Sequence, residues 1–359
     1  MQMKRILLFT ESLGSGGAER QLVNLAVLLK GKGYDVTVLT YHLNQFYERY
    51  LLENNVNYFY KGNIRNKIFG LFHLYVFLKH HNPDVVISYL PAANMRMCIL
   101  RFILKFKLLV SERSYTKDWS LYTNLQYNLY KSADYIIPNS YSECENILNH
   151  HPNLLGKVRV IQNYIDSIKF SPLLDKTSIR KPARLLCVGR LIPSKNILTL
   201  LDALAILHQR EYDFVFKWVG KQSMPEFYNE VVDRISSLSL EHVVTLVNEV
   251  DHVETLYQEA DYFCFPTLLE GFPNALCEAM SVGLPVATSN VCGLANIVEE
   301  GVNGYTFNPN SVADIVTALE KLLNMNYEEY EMMSFANTEK IKNECSKRAF
   351  VDKYISLLE

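Results

Sequence analysis

The chain of 359 residues is 49% hydrophobic and 21% charged, an ordinary globular make-up with core enough for two domains. Its cysteines, Cys98, Cys144, Cys187, Cys264, Cys277, Cys292 and Cys345, form an odd, scattered set without a C-x-x-C pair, which argues against a zinc site or disulfide framework and for reduced thiols in a cytosol. The net charge is −2, yet residues 1–165 carry 19 Lys and Arg against 11 Asp and Glu, leaving 17 against 27 for residues 166–359, so the two halves differ in sign.

From the N-terminus, MQMKRILLFT is too short an apolar run for a signal peptide, and no later run reaches bilayer length; a soluble or peripheral protein is expected. Short β-branched runs then alternate with helical periodicity, the pattern of parallel α/β sheets. Strands are expected at RILLFT (5–10), DVTVLTY (35–41), DVVISYL (84–90), KLLVS (107–111), DYIIPNS (134–140) and VRVIQN (158–163). AERQLVNLAVLLKGKG reads as a helix closed by Gly31 and Gly33. Residues 164–182 are polar, proline-marked and without periodicity, and read as a linker. The pattern restarts at ARLLCVG (183–189), FVFKWVG (214–220), VVTLVN (243–248), DYFCFPT (261–267), PVATSN (285–290) and GYTF (304–307). Two similar sheets are expected, with ligands at the carboxyl ends of their strands, in the cleft of a two-lobed chain.

Two strand ends look suited to phosphate. The first runs into ESLGSGGAER, where Gly16 and Gly17 precede a helix and could present backbone amides to an anion. A dinucleotide fingerprint from Gly14 would need glycine where Glu19 stands, and Gly-Lys-Ser/Thr is absent, which excludes a P-loop. A glycine-eased turn is an equally good reading of this stretch alone. The second is CVGRLIPSKN, where Arg190 and Lys195 follow Gly189, with Ser194 a candidate helix cap. Solvated cations are the commoner case, but two of them at a strand mouth beside a helix N-terminus suit a pyrophosphate.

In LLEGFPNALCEAM the turn Gly271-Phe272-Pro273 halts a strand, and Asn274 is the expected N-cap of a helix from Ala275 to about Gly283. Glu270 lies on the strand side of the helix mouth and Glu278 one turn inside it, with the amides of 271–276 between. Amides would take an anion and carboxylates would accept from sugar hydroxyls. A glutamate favourably placed in the helix dipole would explain Glu278 alone, but not Glu270 or the turn.

With G-L-P-V-A-T-S, E-E-G-V-N-G-Y-T-F, V-G-R-L-x3-K and the N-terminal G-G-A-E-R, this stretch resembles glycosyltransferase family 4, retaining nucleotide-sugar-dependent enzymes of the GT-B fold. The resemblance covers essentially the whole chain and is densest in its second half. It implies an α/β protein of two Rossmann-like domains: 1–163 on the acceptor side, a linker at 164–182, and 183–346 binding the donor. Helix 347–359 is implied to pack back on the first domain. By the same resemblance Arg190 and Lys195 neutralise the donor diphosphate, Glu270 lies near the transferred sugar, and Glu278 holds the ribose. Gly271, Phe272, Asn274, Ala275 and Leu276 line the donor; Gly189 belongs to the same loop, and Gly16 and Gly17 close on the phosphate. Many relatives carry a histidine where this chain has Glu112, beside Arg113, so the acceptor side there is expected to differ.

The reaction so implied moves a sugar from a nucleoside diphosphate sugar, a UDP-sugar favoured, to a glycan or lipid-linked glycan with retained configuration. It belongs to surface-polysaccharide assembly of the lipopolysaccharide or capsule kind. No D-x-D triplet occurs, and no cofactor, metal or nucleic-acid partner is expected. An epimerase of the same fold and a non-catalytic nucleotide-sugar sensor are the rival readings, separable by the product formed. In residues 61–81 and 95–110 Lys and Arg interleave with Phe, Leu and Ile, so the basic half is expected to meet an anionic membrane, cytoplasmic and peripheral at the inner face of the plasma membrane.

Overall fold

The computed structural model describes residues 3–14, 16–43, 46–60, 67–172 (67–69 as backbone), 179–291, 293–294 and 296–359. Strands β1 (Arg5–Thr10), β2 (Asp35–Thr40), β3 (Asn57–Tyr60), β4 (Val85–Tyr89), β5 (Lys107–Glu112) and β6 (Tyr135–Pro138) form one parallel sheet. A second parallel sheet holds β7 (Ala183–Val188), β8 (Phe214–Val219), β9 (Val244–Val247), β10 (Tyr262–Phe265), β11 (Val286–Ser289) and β12 (Gly304–Phe307). Between them run α1 (Gly17–Gly31), α2 (Glu48–Glu53), α3 (Lys67–His81), α4 (Pro91–Arg101), α5 (Leu121–Tyr130) and α6 (Tyr141–His150) in the first half. In the second half α7 (Ile197–Gln209), α8 (Pro225–Ser237), α9 (Val253–Glu259), α10 (Asn274–Ser281), α11 (Val312–Leu323), α12 (Tyr327–Glu344) and α13 (Lys347–Leu358) follow.

The orders are β3-β2-β1-β4-β5-β6 and β12-β11-β10-β7-β8-β9. Counted from its own first strand, the second sheet repeats the order of the first, the doubly wound 3-2-1-4-5-6 arrangement. Runs such as IVL-rich β1 and β4 are buried almost throughout because helices cover both faces of a parallel sheet. The order reverses between β1 and β4, and again between β7 and β10, and at these points the carboxyl ends open into a crevice.

The chain divides into two compact units: Met1–Asn163 with Arg348–Glu359, and Tyr164–Lys347. Within the first, α13 buries Phe350, Val351, Tyr354, Leu357 and Leu358, apolar burial that contributes roughly 1.5–3 kcal/mol for each large side chain. Lys4 Nζ donates to the carbonyl of Leu358 at 2.7 Å, and the Tyr354 hydroxyl meets that of Tyr89 at 2.9 Å. Residues 164–182 are more than a linker. Ile165 and Phe170 belong to the core of the second unit, and Ser281 Oγ donates to the Phe170 carbonyl at 2.7 Å; 173–178 lie outside the described residues.

Two strand expectations differ from the structure. NYFY (57–60) is an edge strand whose sequence lacks a clear apolar face, and it alternates between exposed and half-buried. VRVIQN (158–163) runs beside β6 without becoming a strand. Arg159 and Ile161 donate to the carbonyls of Ile136 and Pro138, but Pro138 has no N–H to return the bond. Nor is 95–110 one basic amphipathic element. Arg96 pairs with Glu11 at 3.0 Å, Arg101 with Asp134 at 3.6 Å, and Lys107 begins β5; of 61–81, residues 61–66 lie outside the described residues.

Glu112 and Arg113 are built into the first unit. Glu112 is 1% exposed, so it has no surface to offer an acceptor. Its Oε1 accepts from Tyr130 Oη at 2.5 Å, Asn94 Nδ2 at 3.1 Å and Gln126 Nε2 at 3.4 Å. Loss of water pushes its carboxyl up to about 7, against the pull of the Tyr130 and Asn94 bonds. Arg113 lies over the Tyr89 ring at 4.5 Å and donates to Tyr89 Oη at 2.9 Å, to Asn163 Oδ1 at 3.2 Å and to Tyr354 Oη. It acts as a clamp on α13, where an acceptor contact was expected.

The unfolded chain gives up the Glu112 proton near 4.5 and the folded one holds it to about 7, so folding takes up a proton in that window and stability falls as pH rises across it. In Glu112→Gln the melting temperature should therefore fall less steeply between about pH 5 and pH 7.5 than in the parent. Glu143, also raised by burial, keeps its own share of the slope. Parallel melting curves for the two proteins across that range would remove Glu112 as the cause.

Candidate active site

Of the residues singled out beyond β7 and β10, Lys195 and Glu270 meet at the reversal point of the second sheet. β7 ends in Val188, and its chain turns through Gly189 and exposed Arg190 into a short 3-10 turn, Pro193–Lys195. Asn196 follows in the left-handed region (φ 60°) and opens α7. Ser194 is not the cap. Its carbonyl is instead turned towards the neighbouring loop, while Asn196 Nδ2 donates to the Pro309 carbonyl at 2.8 Å.

The start of this loop is fixed from β8. Trp218 Nε1 donates to the Gly189 carbonyl at 2.9 Å, and Gly189 N–H donates to Val219. Gly220 presses so closely on Gly189 that a Cβ there, at φ 153°, would overlap the Gly189 carbonyl. Trp218 escaped the motif reading, although a tryptophan two residues before a strand-end glycine is a visible signal.

From β10 the chain runs through Thr267 and Glu270 into the Gly271-Phe272-Pro273 turn. Phe272 is buried, and Asn274, expected to cap α10, is its first helical residue; Pro273 takes the cap position and no side chain caps the end. The first helical bond of α10 runs from Cys277 N–H to the Pro273 carbonyl, so the amides of Ala275 and Leu276 belong to the helix mouth. Gly283 (φ 82°) and Leu284 close the helix on Met280 and Ala279.

Glu270 and Glu278 do not stand alike. Lys195 Nζ donates to Glu270 Oε1 at 2.5 Å, with the two side chains 13% and 21% exposed. The ammonium also sits 5.0 Å from the centre of the Phe265 ring. Glu278, buried in α10, accepts from Tyr257 Oη at 3.1 Å through Oε2. Phe265 and Tyr257 are supporting residues that no spacing in the sequence marks. The loops that lead into α7 and α10 are thus joined by Lys195 and Glu270, exposed Arg190 leaves the first of them, and helix N-termini of this kind favour an anion. Cavities of about 310 and 260 Å³ lie elsewhere in the second unit and include none of Arg190, Lys195, Glu270 or Glu278.

In the first unit Gly16 is the extended N-cap of α1 and Gly17 its first residue. The Glu19 carboxylate folds back against Gly16, where a Cβ would strike it, and burial raises its pKa. The helix mouth that sequence offered to phosphate is partly filled by the chain's own acid. Among the described residues no group of three or more His, Cys, Asp and Glu side chains could hold a metal ion.

Gly220→Ala should displace the Gly189 carbonyl and with it the Arg190 loop, lowering stability by roughly 1–3 kcal/mol in denaturant titration. A variant as stable as the parent would mean that the β7 and β8 ends are not locked together.

The family model for glycosyl transferases group 1 matches residues 173–340, and that for Glycosyltransferase Family 4 matches residues 15–168. The GalNAc-alpha-(1->4)-GalNAc-alpha-(1->3)-diNAcBac-PP-undecaprenol alpha-1,4-N-acetyl-D-galactosaminyltransferase of Campylobacter jejuni is 26% identical over 345 residues, 90% of this chain and 89% of its own. The amylovoran biosynthesis glycosyltransferase AmsD of Erwinia amylovora is 24% identical over 335 residues, 89% of this chain and 90% of its own. In fold, a glycosyltransferase from Rickettsia africae superposes with TM-score 0.88 at 18% identity, covering 100% of this chain and 98% of the other. HepE of Anabaena, solved with UDP and glucose, gives 0.84 at 19%, with 99% of each chain covered. Two doubly wound sheets of the GT-B kind, and family matches running from residue 15 to residue 340, place this chain among the family 4 glycosyltransferases.

Proposed function

We propose that this glycosyltransferase moves a sugar from a nucleoside diphosphate sugar to a lipid-linked glycan, with retention and without a metal. The observation that carries the reading is the Lys195–Glu270 pair between the loops that lead into α7 and α10, the first of which also carries exposed Arg190. Charge that develops on the departing diphosphate is met there by fixed cations and helix dipoles, which need no reorganisation as the bond breaks. Glu270 stands at the edge of that anion site, where it can accept from hydroxyls of the sugar, and Glu278 is set deeper, on the ribose side. Retention follows if the acceptor attacks the face that the diphosphate leaves, with its proton passing to the leaving phosphate oxygen. The names of two relatives support the substrates: the Campylobacter enzyme carries undecaprenol in its acceptor, and an Escherichia coli relative, 29% identical over 186 residues, is a UDP-Gal:alpha-D-GlcNAc-diphosphoundecaprenol alpha-1,3-galactosyltransferase.

The test is a panel of nucleotide sugars offered with undecaprenyl-diphosphate-linked glycans in chelator, followed by the anomeric configuration of the product. Transfer with retention should survive chelation, and Arg190→Ala and Lys195→Ala should each lower kcat about 100-fold or more. Activity that needs added magnesium or manganese would overturn metal independence. Parent-like turnover in both variants would overturn the site.

The acceptor would be met at a membrane. No helix of the described residues is long and apolar enough to cross one. The layer of α3, α4 and α5 nevertheless exposes Phe72, Val76, Ile99, Phe102, Ile103, Leu121 and Leu125, Phe102 and Ile103 being 73% and 67% exposed. Since Arg96 and Arg101 are engaged in ion pairs, this face offers apolar contact more than charge. We expect sedimentation with anionic vesicles that about 0.5 M salt only partly reverses. Phe102→Ser combined with Ile103→Ser should abolish the salt-resistant part, and unchanged binding by that variant would place the contact elsewhere.

A further inference from the structure

The two loops that form the donor mouth leave different strands, yet they act as one piece. The Ser194 carbonyl, one residue before Lys195, accepts from Leu268 N–H at 2.9 Å and from Thr267 Oγ1 at 3.2 Å. The same Thr267 hydroxyl lies 3.1 Å from the Leu269 carbonyl, and its single proton is shared between the two acceptors. Behind it, Ser289 Oγ at the end of β11 donates to the Thr267 carbonyl at 2.6 Å and to the Phe265 carbonyl at 3.1 Å. Thr267 and Ser289 are both fully buried. A chain of bonds therefore runs from β11 through Thr267 to the residue that precedes Lys195, while three residues beyond Thr267 stands Glu270, Lys195's partner.

We infer that Thr267 is a positioning residue of the transfer reaction, setting the height of the Lys195 loop against the Glu270 loop so that the ammonium and the carboxylate are in register when the donor arrives. Its hydroxyl is fully buried and acts through the Ser194 carbonyl. The side chain is suited to this because the methyl fills the buried space while the hydroxyl bridges the two loops, a division that serine or valine performs only in part. The inference rests on the transfer reading given above.

The test compares Thr267→Val, which keeps the shape and removes the hydroxyl, with Thr267→Ser, alone and combined with Lys195→Ala. Thr267→Val should lower kcat about tenfold with the acceptor KM little changed, and Thr267→Ser should restore most of it. In the Lys195→Ala background the further loss should shrink to about twofold or less, because the group being positioned is gone. A merely structural role would multiply with Lys195→Ala in full, and that result overturns the inference, as does a Thr267→Val enzyme within twofold of the parent. If Thr267→Val does not accumulate folded, Ser289→Ala, which frees the Thr267 carbonyl, takes its place with the same expected non-additivity. Absence of transfer by the parent on every donor would strike the functional reading; an active parent with an indifferent Thr267→Val strikes this inference alone.

Discussion

The reversal of strand order between β7 and β10 governs most of what the second unit does. Chains leaving those two neighbouring strands depart towards opposite faces of the sheet, which opens a crevice at their carboxyl ends. Into that space the fold delivers the N-termini of α7 and α10, an exposed arginine, and a lysine held by a glutamate. Gly220, Trp218, Thr267 and Ser289 then fix the height of each loop from behind.

Electrostatically, the resting site is balanced. Lys195 and Glu270 are partly withdrawn from water, so neither charge is tolerated well without its partner, and the Phe265 ring adds attraction for the ammonium alone. On the proposed reading an incoming diphosphate would compete with Glu270 for the same cation, and release of the carboxylate towards the sugar would couple recognition of the leaving group to recognition of the group transferred.

The architecture was legible because parallel strands buried on both faces write continuous apolar runs, and eleven of the strands lie in segments read that way. β3 was not, since an edge strand such as NYFY is held by one neighbour and owes little to burial. At the candidate site, spacing singled out Arg190, Lys195, Glu270 and Glu278, and of these the folded chain pairs Lys195 with Glu270. The residues that hold them were hidden: Thr267 looks like any polar residue after a strand, and its meaning lies in the Ser194 carbonyl 73 positions away. Glu112 was placed on the acceptor side only through the histidine that relatives carry there, and its burial was not legible, since only the folded chain brings Tyr130, Asn94 and Gln126 around it.

The place of α13 bears on how the molecule comes into being. The first unit is interrupted in sequence by the whole of the second: Arg113, Tyr89 and Lys4 find Tyr354 and Leu358 only after residues 164–347 have been synthesised. During translation, then, the first sheet emerges with an unfilled flank and an arginine short of one of its hydroxyl partners, while the second unit, continuous in sequence, has all it needs to fold. Completion of the N-terminal unit is thus a late event, and the interval before it is when this chain depends most on being shielded from its neighbours.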